Sequence, residues 1–259
     1  MTTAQPASML ITGAAQRIGR VLALHFARTG WEIGIHYNTS KAEAQSLKDE
    51  IEALGSSAVL LPADLTNDAD LAQLAAQAPE KLANFTCLIN NASLFEEDDL
   101  ESLTPQTWDK HINANLKAPA FLAQALARHL KAGSNNPAPG NIINIIDQRV
   151  WRLTPRFLSY TVSKAGLWTL TQTLAQALAP AIRVNAVGPG PTLQNIRQET
   201  EDFARQSQNL LLQRSTNPQE IADAISFMLA APAMTGQMIA LDGGQHLAWE
   251  TPDVAGIPE

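Results

Sequence analysis

Short runs of β-branched and aliphatic residues alternate along the chain with longer segments in which apolar residues recur every three or four positions. Parallel strands need crossover connections, and helices usually supply them, so this alternation predicts a parallel sheet with helices on both faces. The predicted strands are 8–12, 32–37, 58–61, 86–90, 141–147, 182–187 and 238–241, and the predicted helices are 18–28, 42–54, 108–130, 159–178 and 219–229.

We therefore expect an α/β protein with a single-domain, Rossmann-type doubly wound sheet of about seven parallel strands. A chain of 259 residues suits one large domain of this kind. We assign residues 1–247 to it and residues 248–259, which contain two prolines and acidic groups, to a C-terminal tail.

Composition excludes several classes of function. A net charge of −7 disfavours nucleic acid as a partner, because a phosphate backbone is met by clustered lysine and arginine. We see no signal peptide in residues 1–7 and no apolar run long enough to span a membrane, so a cytoplasmic location is expected. The single cysteine, Cys87, lies in an apolar run and is expected to be a buried structural thiol; we expect no disulfide and no metal site.

A tyrosine and a lysine four positions apart, Tyr160 and Lys164, would project from one face of a predicted helix. A lysine cation beside a phenol favours the phenolate and lowers the tyrosine pKa from roughly 10, as general acid catalysis requires. Asp147, at the end of the preceding strand, would add a carboxyl group to this proton-handling site. Two alternatives remain: the Tyr–Lys spacing arises by chance on amphipathic helices, and Asp147 could pair with Arg149 or Arg152 instead.

The first predicted strand leads into the first helix through the segment TGAAQRIG at 12–19. Gly13 permits the close backbone approach that a phosphate needs, Gly19 lets helix and strand pack, and the helix N-terminus offers free N–H groups. This placement predicts a dinucleotide site. A tight turn without a ligand is the alternative.

The end of the second predicted strand indicates which dinucleotide binds. A protein that prefers NAD usually places an acidic residue there to hold the ribose 2′-hydroxyl, and this segment, 35–40, has none. Instead it offers donors for a 2′-phosphate, which favours NADPH. These donors are Arg17, His36, Thr39, Ser40 and Lys41. Asp64, after the third strand, would accept a hydrogen bond from the adenine amine or cap the helix that follows.

The same chain carries Asn90, Asn91 and Ala92, then Asn115, and later Pro189–Gly190. With these motifs in this order it resembles the short-chain dehydrogenase/reductases over almost its whole length. More narrowly, it is similar to the pteridine reductases and the bacterial dihydromonapterin (dihydrofolate-type) reductases. That likeness rests on the TGxxxRxG turn, on HY and Ser at 36–40, on NNASxF at 90–95, and on an aspartate at 147 where most relatives have serine.

The resemblance implies a role for each motif. Tyr160 would be the acid, Lys164 would bind the nicotinamide ribose, and Asn115 would hold a water relay behind Lys164. Phe95 would stack on a pterin ring, although a core role for Phe95 is the alternative. The predicted catalytic residues are Asp147, Tyr160, Lys164 and Asn115; the cofactor residues are Gly13, Arg17, Ile18, Gly19, His36, Tyr37, Ser40, Asp64, Leu65, Asn91, Ala92, Tyr160, Lys164, Pro189 and Gly190; the substrate residues are Ser93, Phe95, Asp147, Tyr160 and Thr192.

We therefore expect NADPH-dependent reduction of a dihydropterin to a tetrahydropterin. Reducing the ring imine needs a hydride at C6 and a proton at N5, and a carboxyl group such as that of Asp147 can relay this proton. The alternatives are an NADPH-dependent carbonyl or 3-oxoacyl reductase and a catalytically silent NADPH sensor. An enoyl reductase would usually space the tyrosine and lysine more widely.

The resemblance also implies a lid and an assembly. Residues 193–216, which are rich in glutamine, are expected to form the substrate lid. The long apolar helices at 108–130 and 159–178 correspond to those through which family members pair, so a homotetramer is expected. Residues beyond 248 could then reach a neighbour's active site.

Overall fold

The computed structural model of the protein describes residues 6–132, 139–194, 198–251 and 255. Its seven strands form one sheet in the order β3-β2-β1-β4-β5-β6-β7, and every neighbouring pair is parallel. The strands are β1 (Ser8–Ile11), β2 (Glu32–Tyr37), β3 (Ala58–Pro62), β4 (Phe85–Asn90), β5 (Gly140–Ile145), β6 (Ile182–Pro189) and β7 (Met238–Leu241).

All seven predicted strands are confirmed, with differences only at their ends. Predicted strand 141–147 stops at Ile145, so Asp147 lies beyond the sheet, in a short 3₁₀ turn that connects β5 to the next helix. The strand order reverses between β1 and β4. In doubly wound sheets this reversal opens a crevice at the carboxyl ends of the strands, and ligands bind there.

Helices cover both faces of the sheet, as predicted. They are α1 (Arg17–Arg28), α2 (Lys41–Ala53), α3 (Asp68–Lys81), α4 (Pro105–Ile112), α5 (Ala118–Ala132), α6 (Leu158–Leu178), α7 (Thr200–Gln208) and α8 (Pro218–Ala230). Apolar side chains of α1, α2 and α8 pack on one face, and those of α3 and α5 on the other.

Three helical features differ from the prediction. Helix α3 (Asp68–Lys81) has no counterpart among the predicted ranges, although a helix was expected after Asp64. The predicted helix 108–130 is two α-helices, α4 and α5, joined by a π-helical turn at Asn113–Lys117. Such turns widen the backbone locally and are frequent at functional sites. Helix α7 was not predicted from the sequence, because most of its side chains are polar and none of them is buried. It has no apolar stripe that periodicity could detect.

The predicted buried thiol is confirmed. Cys87 lies in β4 with no exposed surface, and burial raises its pKa to about 12. Within the described ranges, no helix is both long enough and apolar enough to cross a bilayer. The expected cytoplasmic location stays a prediction.

The side chain of Arg183, in β6, closes the end of α8. Its guanidinium donates to four backbone carbonyls at 2.8–3.1 Å. The acceptors are the carbonyls of Met228, Leu229, Ala231 and Met234. A cation at a helix C-terminus satisfies carbonyls that have no partner within the helix and complements the helix dipole.

Replacing this cation should destabilise the domain. We expect Arg183→Met to lower the free energy of unfolding by roughly 3 kcal/mol, because several carbonyls lose a charge-assisted hydrogen bond. Urea unfolding followed by circular dichroism measures the loss. The control is Arg28→Met, an exposed arginine at the end of α1. Equal midpoints for the two variants would show that the carbonyls need no cation.

Candidate active site

Two adjoining cavities occupy the crevice at the carboxyl ends of the strands. The first, which we call the turn cleft, has a volume of about 530 Å³ and lies beside the β1–α1 turn. The second, the tyrosine pocket, has a volume of about 680 Å³ and contains Tyr160, Lys164 and Asp147. Arg17, Ile18, Asn91 and Ser93 line both cavities, so a ligand of dinucleotide length can extend from one into the other.

The β1–α1 turn has the backbone that a phosphate requires. Gly13 adopts a φ of +63°, which favours glycine. A Cβ on Gly19 would lie 2.1 Å from the carbonyl oxygen of Gly13, so only glycine fits there. The cap residue of α1, Gln16, makes no side-chain hydrogen bond to the first turn, which leaves N–H groups for an anion.

The end of β4 holds this turn in place. The Thr12 hydroxyl accepts hydrogen bonds from the backbone N–H groups of Asn91 and Ala92, both at 2.9 Å. The Asn91 side chain donates to the carbonyls of Thr12 and Gly13 at 2.8 and 3.2 Å. Asn91 and Ala92 thus fix the turn cleft as well as lining it.

His36 does not act as the expected donor to a 2′-phosphate. Its Nδ1 accepts from the Gly13 N–H at 3.0 Å, and its Nε2 is 3.1 Å from the Ala63 carbonyl. Nδ1 must therefore be unprotonated, so Nε2 carries the only ring proton and donates a hydrogen bond to the Ala63 carbonyl. Burial lowers the pKa of His36 to about 4, so the ring is neutral. That part of the prediction is wrong: His36 supports the turn.

The other residues predicted near the adenosine half lie as follows. Tyr37 is buried in the core, whereas Ser40 is half-buried at the start of α2 with no side-chain capping bond. The Arg17 guanidinium donates to the carbonyls of Leu193 and Gln194 at 3.1 and 3.0 Å. It therefore ties the turn to the first residues of the predicted lid.

Asp64 lines the turn cleft, as does its buried neighbour Leu65. One carboxylate oxygen of Asp64 accepts from the N–H and the hydroxyl of Thr66 at 2.9 and 2.7 Å. The following helix is capped by Asn67, so the capping role considered for Asp64 is wrong. Its expected contact with adenine stays a prediction.

In the tyrosine pocket, the Tyr160 hydroxyl donates to Asp147 Oδ2 at 2.9 Å. Asp147 Oδ1 accepts from the Arg149 N–H at 2.8 Å, which fixes the carboxylate at the start of the 3₁₀ turn. The alternative that Asp147 pairs with an arginine side chain is wrong for the described residues. The Arg152 guanidinium donates to the Gln245 carbonyl instead.

The lysine does not lower the tyrosine pKa in this structure, contrary to the prediction. Burial raises the pKa of Tyr160 well above its usual value, the Asp147 charge adds to the rise, and Arg149 opposes it. Lys164 donates to the Ile145 carbonyl at 2.8 Å, and burial lowers its pKa to about 8. At neutral pH the phenol therefore keeps its proton and shares it with the carboxylate of Asp147.

Asn115 lies in the π-helical turn with no exposed surface. Its side chain accepts from the Leu94 N–H at 2.8 Å and donates to the Leu94 carbonyl and the Ser163 hydroxyl, both at 3.0 Å. Asn115 thus anchors the segment after β4 to α6. The water relay expected behind Lys164 stays a prediction.

Phe95 belongs to an aromatic cluster at the pocket wall. Its ring stacks on Phe157 with centroids 4.4 Å apart and meets Tyr160 edge-on at 4.7 Å. The Arg149 guanidinium lies 5.0–5.9 Å from the three ring centroids. Phe95 is half-buried and lines the pocket, so the alternative of a purely core role is not supported.

Sequence reasoning missed Phe157 and Arg149. The only sequence signal for either is proximity: Phe157 precedes Tyr160 by three residues, and Arg149 is two residues from Asp147. The stack itself depends on a φ of +58° at Phe157, which no sequence pattern indicates for a phenylalanine.

The last predicted residues also lie at the pocket. Ser93 is exposed at the junction of the two cavities. Pro189, Gly190 and Thr192 line the tyrosine pocket, and the Thr192 hydroxyl donates to the Gly190 carbonyl at 3.0 Å. A Cβ on Gly190 would lie 2.7 Å from the Cα of Asp242.

The predicted lid and tail are described in part. Helix α7 lies in the lid, and Phe203 lines the tyrosine pocket. Residues 195–197 of the lid and residues 252–254 and 256–259 of the tail lie outside the described residues. The roles of lid and tail stay predictions.

Comparison with known proteins agrees with this geometry. A family model described as Enoyl-(Acyl carrier protein) reductase matches residues 13–246. The 3-oxoacyl-[acyl-carrier-protein] reductase of a Synechocystis strain is 31% identical and aligns over 93% of this chain and 97% of its own length.

Two solved structures are more similar. FolM alternative dihydrofolate reductase 1 from Brucella canis, complexed with NADP, is 44% identical with a TM-score of 0.89, covering 96% of this chain and 98% of its own. The Brucella suis protein of the same name, also with NADP, is 44% identical with a TM-score of 0.91, covering 97% and 100%.

The chain belongs to the short-chain dehydrogenase/reductase family. It is an NADPH-dependent oxidoreductase, and its resemblance to a dihydrofolate-type reductase is confirmed. The turn fits the coenzyme: its glycines leave room for a phosphate, and the first turn of α1 is uncapped.

The predicted contact between Lys164 and the nicotinamide ribose implies a pH dependence of coenzyme binding. Ribose hydroxyls accept hydrogen bonds best from the ammonium form, so with this contact coenzyme binding should raise the lysine pKa above about 8. We expect the Kd for NADPH to be nearly constant below about pH 7, to begin rising as the pH approaches 8, and above pH 8 to rise by up to about tenfold per pH unit. Fluorescence titration at each pH measures this. Lys164→Met should bind more weakly at pH 7 and show no such rise; a wild-type Kd that is flat to pH 9.5 would contradict the role.

Proposed function

We propose that this chain uses NADPH to reduce a dihydropterin to a tetrahydropterin. The observation that carries the proposal is the hydrogen bond between Tyr160 and Asp147 beside a half-buried aromatic wall. A carboxylate at this position suits the protonation of a ring nitrogen. The stacked rings suit a flat heterocycle, which gains both apolar burial and favourable ring contacts there.

The coenzyme supplies a hydride, which in this reaction is added to C6 of the ring. N5 of the same imine then needs one proton. In the structure the Tyr160 hydroxyl holds such a proton and donates it in a hydrogen bond to the carboxylate of Asp147. Asp147 therefore passes it on, directly or through a water, and Tyr160 recovers one from solvent. The acid and the carboxylate act as a unit with one mobile proton.

Arg149 offers a further polar contact for such a substrate. Its Nη1 is buried without a hydrogen-bond partner among the described residues, and its side chain lines the tyrosine pocket. A buried donor left unpaired costs free energy, and a ligand oxygen would remove that cost. A pterin carries an oxo group on the ring next to the reacting one.

The second candidate is a carbonyl or 3-oxoacyl reductase, which the similarity to the Synechocystis protein favours. A substrate panel separates the two. NADPH absorbance is followed with dihydrobiopterin, dihydromonapterin, dihydrofolate and an acetoacetyl thioester in parallel. We expect turnover with at least one dihydropterin. Turnover of the thioester alone would overturn the pterin assignment.

The aspartate can be tested directly. Asp147→Ser restores the residue that most relatives have, and we expect kcat for the dihydropterin to fall roughly 100-fold or more, because proton transfer to N5 loses its relay. The Kd for NADPH should change less than about threefold. The control is Asp109→Ser, an exposed aspartate on α4. Equal losses of turnover and NADPH affinity would mean that the Asp147 carboxylate is structural.

We also propose a homotetramer that pairs through α5 and α6. Phe121 of α5 and Val162 of α6 are 48% and 42% exposed, so both helices present apolar side chains that a second copy of the chain could cover. Light scattering after size-exclusion chromatography should give four times the chain mass, and Phe121→Glu should reduce it. A monomeric wild-type protein at micromolar concentration would contradict the assembly.

A further inference from the structure

Three polar side chains other than those of Tyr160 and Asp147 form a buried hydrogen-bond network. Asp98, His111 and Ser159 are 2%, 0% and 0% exposed. The Ser159 hydroxyl lies 2.6 Å from His111 Nδ1 and donates to Asp98 Oδ2, while the Ser159 N–H donates to Asp98 Oδ1 at 3.1 Å. His111 Nε2 accepts from the Glu96 N–H at 3.0 Å.

The donors and acceptors allow one assignment of protons. The Glu96 N–H can only donate, so His111 Nε2 carries no proton. Nδ1 therefore carries the proton and donates a hydrogen bond to the Ser159 hydroxyl oxygen. The Ser159 hydroxyl in turn donates a hydrogen bond to Asp98. With this arrangement and a neutral histidine, every polar group of these three side chains has a hydrogen-bond partner. Burial lowers the pKa of His111, which agrees with the neutral ring.

Asp98, His111 and Ser159 are not a hydrolytic triad. In such a triad the carboxylate orients the histidine, and the serine hydroxyl is open to substrate. Here the carboxylate contacts the serine, and Ser159 has no exposed surface. The three residues connect segments of the fold.

Asp98 caps helix α6 from a different segment. The cap residue of α6, Phe157, makes no side-chain capping bond and has a φ of +58°. The Asp98 carbonyl accepts from the N–H groups of Phe157 and Leu158 at 2.7 and 3.3 Å, and its carboxylate accepts from Ser159. A negative charge at this position also complements the helix dipole. Phe157 is thereby held in the conformation in which it stacks on Phe95.

The residues between β4 and α4 are attached at three alternate positions. Leu94 is bound by Asn115, Glu96 by His111, and Asp98 by the start of α6. Phe95 lies between the first two attachments, and Tyr160 follows Ser159 directly in α6. The same buried hydrogen-bond network therefore fixes Phe95 and Tyr160 relative to each other.

We propose that Asp98, acting through Ser159 and His111, is a positioning residue that sets the distance and angle between the Phe95 ring and the Tyr160 hydroxyl. The inference rests on the proposed function, because it takes Phe95 as the surface on which the substrate ring stacks. Asp98 touches no reacting atom. Its role is to preorganise the site, so that the space beside Phe95 and Tyr160 already fits a flat substrate before that substrate binds.

The test is Asp98→Asn with Asp99→Asn as a matched control. The first substitution keeps the side-chain shape and one acceptor but places an amide donor against the Ser159 hydroxyl. Asp99 is exposed, and its carboxylate accepts only from Glu101 and Ser102 among the described residues. We expect Asp98→Asn to lower kcat/KM for the dihydropterin roughly 100-fold, through both KM and kcat, since small misplacements of reacting groups are costly. The Kd for NADPH should stay within about twofold, and Asp99→Asn should match the wild type.

A merely structural role predicts a different pattern. Asp98→Asn would then lose pterin turnover and NADPH affinity in parallel with its thermal stability, or lose neither; each result overturns the proposal. If Asp98→Asn does not fold, Ser159→Ala decides, because it keeps the backbone cap and removes only the hydroxyl. We expect it to lower pterin kcat/KM about tenfold with NADPH affinity unchanged; an unchanged kcat/KM would overturn the proposal.

Failure of the proposed function gives results that can be distinguished from failure of this inference. A wild-type enzyme that reduces only the acetoacetyl thioester would end the pterin assignment without any variant. Asp98→Asn is then assayed with the thioester, and a large loss of kcat with normal NADPH affinity would still support the positioning of Tyr160. A wild-type enzyme that reduces dihydropterins together with an unaffected Asp98→Asn would end this inference alone.

Discussion

The hydrogen bond from the Tyr160 hydroxyl to Asp147 is the interaction on which the proposed chemistry of this protein depends. It exists because β5 stops at Ile145, so Asp147 leaves the sheet and reaches the first turn of α6. Burial and the neighbouring carboxylate both hold the proton on the tyrosine. A lysine-activated phenol would be more acidic, so the carboxylate changes the acid from a single group to a pair with one proton.

The rest of the site serves to keep this pair and its surroundings in place. Backbone groups at the carboxyl ends of β1 and β4 are held by the side chains of Thr12 and Asn91, and the segment after β4 is held by Asn115 and His111. Most of these side chains are satisfied by the protein itself. The polar groups in the crevice therefore form a rigid frame, beside which Arg149 Nη1 is buried without a hydrogen-bond partner among the described residues.

The sequence predicted the sheet and the place of the site well, for clear physical reasons. Buried parallel strands are continuous apolar runs, and glycines such as Gly13 and Gly19 occur where backbone must approach backbone. It failed where tertiary contacts decide. His36 becomes a neutral support because Gly13 and Ala63 occupy both its nitrogens, and Tyr160 is made less acidic by burial. Asp98 caps a helix some sixty residues away, which local patterns do not reveal.

A crystal structure of the enzyme with NADP+ and a dihydropterin tests the central claim most directly. The account predicts that the ring lies between Phe95 and the nicotinamide, with C6 facing the nicotinamide and the Asp147 carboxyl bonded to N5 directly or through one ordered water. A ring bound elsewhere, or an Asp147 side chain turned away from N5 with only Tyr160 in contact with the substrate, would contradict it.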